Sequence, residues 1–310
     1  MDLGFVMAYT VAKPFLKWAG GKTQLLDEFL KRIPPELKNG GITSFIEPFI
    51  GGGAVFFNLN SIFSFEECHI FDSNEELVLA YNVVRKDVED LIECLEGMSC
   101  DYLKLDSPGR SEYFYSVRER FNKERNGINF KRYGKKWVPR AAQIIFLNRT
   151  CYNGLFRVNS KGSFNVPFGR YKNPKIVNPD LLRADSGILS NTKIHCGDFA
   201  DSMKCIKEDS FVYFDPPYRP LSPTASFTTY SRNGFDDCEQ RRLASFYRKC
   251  DGKGARLILS NSDPKNIDTE DDFFDDLYRG FRIERVPAKR MINSDAEKRG
   301  EISEILVMNY

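Results

Sequence analysis

Apolar and polar positions follow two different periods along this chain, and the period changes more than once. Ser44-Phe45-Ile46-Glu47 is a short apolar run that predicts a buried strand, and Gly51-Gly52-Gly53 then turns the chain into an apolar helix start at Ala54 to Leu59. His69-Ile70-Phe71-Asp72 predicts a second strand. Ser73-Asn74-Glu75 opens a helix that carries Leu77, Val78, Tyr81, Val84 and Leu91 at helical spacing. From Gly97 to Gly109 the pattern breaks. Helices are then predicted over Tyr113 to Phe121 and Arg140 to Asn148, separated by a polar Gly/Asn/Lys stretch. The segment 152–168, rich in Gly and Asn with Lys161-Gly162 at its centre, predicts a β-hairpin or long β-loop. Strand-like runs resume at Lys193 to Cys196, Phe211 to Asp215, Ala255 to Ser260 and Ile302 to Met308, with helix-like runs at Asp237 to Arg248 and Asp271 to Tyr278. Strand and helix alternate, stop, and alternate again. This predicts an α/β fold with one Rossmann-like, parallel-rich sheet, made by residues 1–96 and 176–310 and interrupted by a helical plus β-hairpin module at 97–175.

Composition adds little until charge is mapped onto this division. The 310 residues are 42% hydrophobic and 28% charged, with a net charge of +2. No apolar run approaches the ~20 residues of a membrane span, and Met1 to Lys13 lacks the layout of a signal peptide. Cys68, Cys94, Cys100, Cys151, Cys196, Cys205, Cys238 and Cys250 include no CxxC pair, and His69 and His195 are the only histidines. That spacing predicts reduced thiols in a cytoplasm, with no zinc site, no other metal and no disulfide framework. Between Arg110 and Lys175, however, stand 16 basic and 3 acidic residues, so the interrupting module is strongly cationic inside a nearly neutral chain. Tyr133, Trp137, Tyr152, Phe156, Phe164, Phe168 and Tyr171 are interleaved with those cations, a pattern that favours a nucleic-acid surface over a merely solvated face.

Three short motifs carry candidate chemistry. Phe49-Ile50-Gly51-Gly52-Gly53 follows a strand and precedes a helix, which lets backbone approach a nucleoside closely. Phe56 stands where a dinucleotide fingerprint needs its last glycine, and Glu47 and Asp72 flank the turn. Two carboxylates repel phosphate but accept hydroxyl or amine protons and sit comfortably beside a sulfonium, so the cradle suits a nucleoside without phosphates. Gly20-Gly21-Lys22-Thr23 looks like the end of a P-loop, but Leu16 stands where the first glycine is required. The phosphate-cradle reading therefore fails, and a capping turn before the Leu25–Leu30 helix is the alternative. Asp215-Pro216-Pro217-Tyr218 ends the apolar strand Phe211–Phe214, where α/β sites collect. The two prolines fix the backbone, so a carboxylate, a carbonyl and a ring are held together. The Asp215 carboxylate and Pro216 carbonyl could accept both N–H bonds of an aromatic exocyclic amine while Tyr218 stacks on its ring. That chemistry serves adenine N6 or cytosine N4, in DNA or RNA.

Taken in order and spacing, FLKWAGGK, EPFIGGG, DPPY, PLSPTASFTTYSRNGF (220–235) and LNRTCYNGLFRVNSKGSFNVPFGRY (147–171) resemble the Dam-type, D12-class DNA adenine-N6 methyltransferases, in particular their GATC-methylating branch. The resemblance runs from about Pro14 to the C-terminus and is thinnest at 97–138. It implies a site-specific enzyme that moves a methyl group from S-adenosylmethionine to adenine N6 in duplex DNA by base flipping, leaves S-adenosylhomocysteine, and uses no metal. It further implies the cytoplasm of a bacterial or phage-type host, no membrane, and a possible restriction endonuclease acting on the same DNA. By the same resemblance Trp18, Lys22, Glu47, Phe49, Gly51, Gly53, Asp72, Asp198 and Asp215 surround the donor, and Asp215, Pro216, Pro217 and Tyr218 are the catalytic set. Lys17, Arg149, Tyr152, Asn153, Leu155, Arg157, Pro167 and Arg170 are implied DNA contacts. Ser222, Ala225, Phe227 and Tyr230 are placed in a loop closing over the flipped base.

Overall fold

The computed structural model describes residues 10–18, 20, 22, 25–159, 162–219, 235–288 and 302–310. Its centre is a seven-stranded sheet in the order β3-β2-β1-β4-β5-β7-β6, with β1 Ser44–Glu47, β2 Glu67–Asp72, β3 Thr192–Cys196, β4 Ser210–Phe214, β5 Arg256–Ser262, β6 Arg282–Ala288 and β7 Ile302–Met308. β3, β2, β1, β4 and β5 pair in parallel, while β7 runs antiparallel between β5 and β6. Every residue of β1 and β4 is buried, as expected for central parallel strands covered on both faces. Alternation sorts their side chains: Phe45, Phe211 and Tyr213 join one apolar core, Ile46, Val212 and Phe214 the other. The chain winds outward from β1 through β2 to β3, then crosses to β4. The strand order therefore reverses between β1 and β4, and a crevice opens there at the carboxyl ends.

The ten helices among the described residues are α1 Leu26–Leu30, α2 Pro35–Lys38, α3 Ala54–Ile62, α4 Glu75–Lys86, α5 Val88–Leu103, α6 Ser107–Glu124, α7 Trp137–Thr150, α8 Pro179–Leu189, α9 Asp237–Asp251 and α10 Phe273–Leu277. α4 begins where the sequence predicted, because the Asn74 side chain accepts the amide hydrogens of Glu76 and Leu77, a cap of about 1 kcal/mol. It ends at Asp87 (φ −134°, ψ 48°), so Leu91 belongs to the next helix.

Two expectations shift and a third narrows. Position 97 falls inside α5, where Leu91, Ile92, Leu95 and Tyr102 keep one face buried across the apparent break in pattern, and the helices on both sides of it share a single core. β6 was not foreseen, since Arg282-Ile283-Glu284-Arg285-Val286-Pro287-Ala288 has a charged, proline-bearing composition that a sheet tolerates only at its edge. Among its described residues the segment 152–168 is a long β-loop with a hairpin path and no continuous ladder. The bridges Cys151↔Phe168 and Val158↔Phe164 form, and a tight turn at Tyr152–Gly154 takes Asn153 and Gly154 to positive φ (57° and 65°). Among the described residues, no helix is long and apolar enough to cross a membrane.

Candidate active site

The crevice between β1 and β4 collects most of the residues singled out in the sequence. On the β1 side, Glu47 is 2% exposed and, among the described residues, its Oε2 has no hydrogen-bond partner. Burial first, then repulsion from Asp215, pushes its carboxyl well above the ordinary range. The glycine turn is tight for a visible reason. A Cβ on Gly51 (φ 47°) would lie 3.0 Å from Trp18 Cδ1, and one on Gly53 (φ 74°) would lie 2.7 Å from the Tyr81 hydroxyl oxygen. Tyr81 in turn donates to the Gly51 carbonyl at 3.1 Å. At the end of β2, Asp72 accepts from the Gly51 amide (3.2 Å) and the Asn74 amide (2.8 Å), and burial pushes its carboxyl up to about 6. Phe49 packs against Phe199 (centroids 5.3 Å) and edge-on to Phe235 (5.7 Å) beside Asp198. The Asp198 side chain caps the turn that begins at Phe199 and is gripped by both terminal nitrogens of Arg242 (2.8 and 2.7 Å), which holds its carboxyl below its ordinary value.

On the β4 side the polar atoms form a continuous chain. Lys22 Nζ sits 3.0 Å from Asp215 Oδ1 and 3.8 Å from the centre of the Tyr218 ring. Ser260, fully buried on β5, donates to Asp215 at 3.1 Å and meets the Tyr213 hydroxyl at 2.9 Å. Tyr218 donates its hydroxyl to Glu304 on β7 at 2.6 Å. The Pro217 carbonyl accepts from Gln240, and Arg219 N–H donates to Asn261, which also bonds Gln240. Burial raises the Asp215 carboxyl and Lys22 works against that rise. Tyr213, Gln240, Ser260, Asn261 and Glu304 were not picked out in the sequence. The one available signal was the polar Ser260-Asn261-Ser262 ending an apolar strand.

A strap at residues 10–18 joins this crevice to the 151–171 loop. Asn148, wholly buried on α7, accepts from Lys17 N–H (2.8 Å) and donates to the carbonyls of Lys17 and Gly154 (2.8 Å each). The Trp18 ring stacks on Phe156 of the loop at 5.4 Å and 18°. Gly154 must be glycine, since a Cβ there would collide with the Lys17 side chain. Tyr152 (55% exposed), Asn153, Arg157, Pro167 and Arg170 all face solvent, while Leu155 is half-buried. Lys17 is exposed, 5.5 Å from the Tyr171 ring centre. Arg149 differs: it is half-buried and donates to the Phe15 carbonyl at 2.6 Å, so its guanidinium holds the strap. Arg140, counted with the cationic surface, is 1% exposed and ion-paired to Glu76 within the core. Ser222, Ala225, Phe227 and Tyr230 lie outside the described residues.

The topological switch point thus brings together carboxylates that burial raises and a proline-fixed acid–aromatic pair, an arrangement suited to holding an amine or hydroxyl. Comparison with known proteins specifies the class. Residues 18–292 match the model of the D12 class N6 adenine-specific DNA methyltransferases. The chain is 52% identical to the Type II methyltransferase M.MjaIII of Methanocaldococcus jannaschii over 96% of its own length and 99% of the relative's. It is 40% identical to the Type II methyltransferase M1.LlaDCHI of Lactococcus lactis subsp. cremoris, covering 96% and 95%. With the DNA adenine methylase of Haemophilus influenzae it shares 34% identity, covering 96% and 93%. The chain belongs to the D12 class of N6 adenine-specific DNA methyltransferases.

Proposed function

We propose that this methyltransferase modifies adenine N6 within GATC in duplex DNA, with S-adenosylmethionine as donor and with the target base turned out of the stack. The observation that carries the chemistry is the position of Lys22. Its ammonium lies against Asp215 and over the Tyr218 ring, a stand-in for a nitrogen that offers hydrogens to the carboxylate while its ring lies on the tyrosine. An adenine amine seated there gives its two N–H bonds to Asp215 and the Pro216 carbonyl. That draws its lone pair out of ring conjugation and aims it across the crevice. Ser260 and Glu304 keep Asp215 and Tyr218 in register. Lys22 turns aside to admit the base.

The β1 wall fits the donor. The Gly51–Gly53 turn admits backbone contact, the unpartnered Glu47 Oε2 can take a cationic amine, and Asp72 can accept ribose hydroxyls. Phe49 and Asp198 border the place for an adenine ring. When bound, S-adenosylmethionine supplies an electrophilic methyl on sulfur and departs as S-adenosylhomocysteine. Adenine N6 inside a paired duplex cannot meet both walls, so the base leaves the helix at a cost of a few kcal/mol. Tyr152, exposed on the loop, is placed to fill the gap. Residues 97–175 serve as the target-recognition module, with Lys17, Asn153, Leu155 and Arg157 near base edges, Pro167 as support and Arg170 near phosphate. The two relatives named as Type II methyltransferases support a restriction endonuclease as working partner.

The test is label transfer from tritiated S-adenosylmethionine to two duplexes, one carrying GATC and one with its adenine replaced. Label on the first alone is expected. Equal label on both removes GATC as the target, and label on neither with donor bound requires a different recognition sequence.

A further inference from the structure

Both histidines of the chain meet at the edge of the sheet. His69 lies on β2 and His195 on β3, on the same face, because His195 stands in register with Phe71. His69 Nδ1 and His195 Nε2 are 3.1 Å apart, and the rings are near parallel (centroids 5.3 Å, 10°). Cys205, just past the turn Phe199–Lys204, brings its Sγ to the same point: one nitrogen of each histidine and this sulfur all lie within 4.8 Å of one another. His69 is 5% and Cys205 8% exposed, and among the described residues the Cys205 thiol makes no hydrogen bond. A proton shared by the two nitrogens accounts for their contact but not for the converging sulfur.

A tetrahedral ion bound at about 2.0–2.1 Å to nitrogen and about 2.3 Å to sulfur places its ligands roughly 3.4–3.6 Å apart. The nitrogens stand near that spacing already, and the sulfur has at most roughly 1.4 Å to travel. The far nitrogen of His69 lies 3.1 Å from Glu67 Oε1, out of line for a hydrogen bond but close enough that a small turn of either side chain supplies the carboxylate partner that ligating histidines usually have. The charges facing the cluster are Glu67, three lysines and Arg85, whose guanidinium donates to the Thr192 carbonyl and to Asn82. Lys193 and Lys207 pair with Glu67, which leaves Lys204 as the cation that a Cys205 thiolate would answer.

We propose that His69, His195 and Cys205 form a three-ligand site for one borderline-soft divalent cation of the zinc class, with solvent at the fourth position. Two imidazoles and a thiolate disfavour magnesium and calcium, which seek oxygen. The bound ion ties edge strand β3 to β2 and to the turn that carries Asp198. Spacing along the chain gives no hint of it, since the ligands come from three separate elements.

Cobalt(II) is the probe, because a thiolate ligand gives it a charge-transfer absorption and a tetrahedral site gives intense visible bands. Reduced full-length protein is titrated with cobalt and then with zinc. The expectation is one cobalt per chain, with both absorptions lost in Cys205→Ser and at least tenfold weaker binding in His195→Gln, while Cys196→Ser behaves as the parent. Zinc should raise the melting midpoint by about 3–5 °C in the parent and in neither ligand variant. Melting in chelator shows that each variant folds, and either one alone decides. Absence of thiolate–cobalt absorption in the parent overturns the site. So does an absorption that survives Cys205→Ser.

Discussion

The β4 wall of the crevice and the 151–171 loop are built in opposite ways. Around Asp215 the side chains are committed to one another: Tyr213, Ser260, Asp215, Lys22, Tyr218 and Glu304 form one unbroken polar chain behind a proline-fixed backbone. In the 151–171 loop the backbone is what is fixed, by Asn148 and by tight glycine contacts, while Tyr152, Asn153 and Arg170 extend into solvent. A reacting group must be aligned before substrate arrives, and burial makes each supporting bond worth more. A reading group gains its energy from the partner, so its side chain stays free while its base is anchored.

The sharpest way to break this contrast is Asp215→Ala. Losing a wired group should lower methyl transfer by about 10²–10⁴-fold with DNA and donor affinities kept within a few-fold. Single-turnover label transfer measures the first and filter binding the second. A parallel loss of DNA binding would mean that the wall also serves as a recognition surface.

Asn148→Ala comes next. It strips three bonds from the junction of the two regions and leaves buried carbonyls without donors, a cost of about 2–3 kcal/mol. It should lower the urea midpoint and loosen discrimination between the proposed GATC target and a one-base variant, because Lys17 and Gly154 lose their common anchor. Arg157→Ala, on the free side, should leave stability untouched. Its expected cost is about 1–2 kcal/mol in kcat/KM on the cognate duplex, with relaxed choice at one base pair. A uniform loss on every sequence would make Arg157 a phosphate contact. Among the described residues, the Arg157 Nε bond to Asn165 (3.0 Å) is the tie it gives up.

The sequence made the wired side legible only as far as its backbone. Asp215–Tyr218 and the Gly51–Gly53 turn announce themselves because proline and glycine fix local geometry whatever packs around them. Ser260, Gln240 and Glu304 are ordinary residues whose meaning comes from β5 pairing with β4, β7 pairing with β5 and α9 packing over them, contacts of long sequence separation that no local period encodes. The same limit hid β6 and α8, and it let a charge count include Arg140 and Arg149, whose guanidiniums turn inward. The central strands and α4 were legible because burial on both faces, or on one helical face with an Asn cap, writes its own period. α5 misled because Gly97 and Ser99 interrupt the apolar count while Leu95 and Tyr102 still hold its buried face.

The smallest expected effect tests whether Lys22 belongs to the wired side at all. Burial raises the Asp215 carboxyl above its ordinary value, and the Lys22 ammonium at 3.0 Å opposes that rise. Asp215 accepts N–H bonds far more strongly when ionised, so activity should climb with pH through its raised pKa and fall as pH drops below it. Lys22→Met removes the opposing charge. The carboxyl then rises further, and the acid limb of the pH–rate profile should move to higher pH, with a loss of less than about tenfold in mildly alkaline buffer that deepens toward acid. If Lys22 only occupies the seat of the target amine until the base arrives, the variant should keep the parent's acid limb and show a lower KM for DNA instead. Donor affinity measured alongside separates both outcomes from a lost donor contact, which would raise the KM for S-adenosylmethionine at every pH.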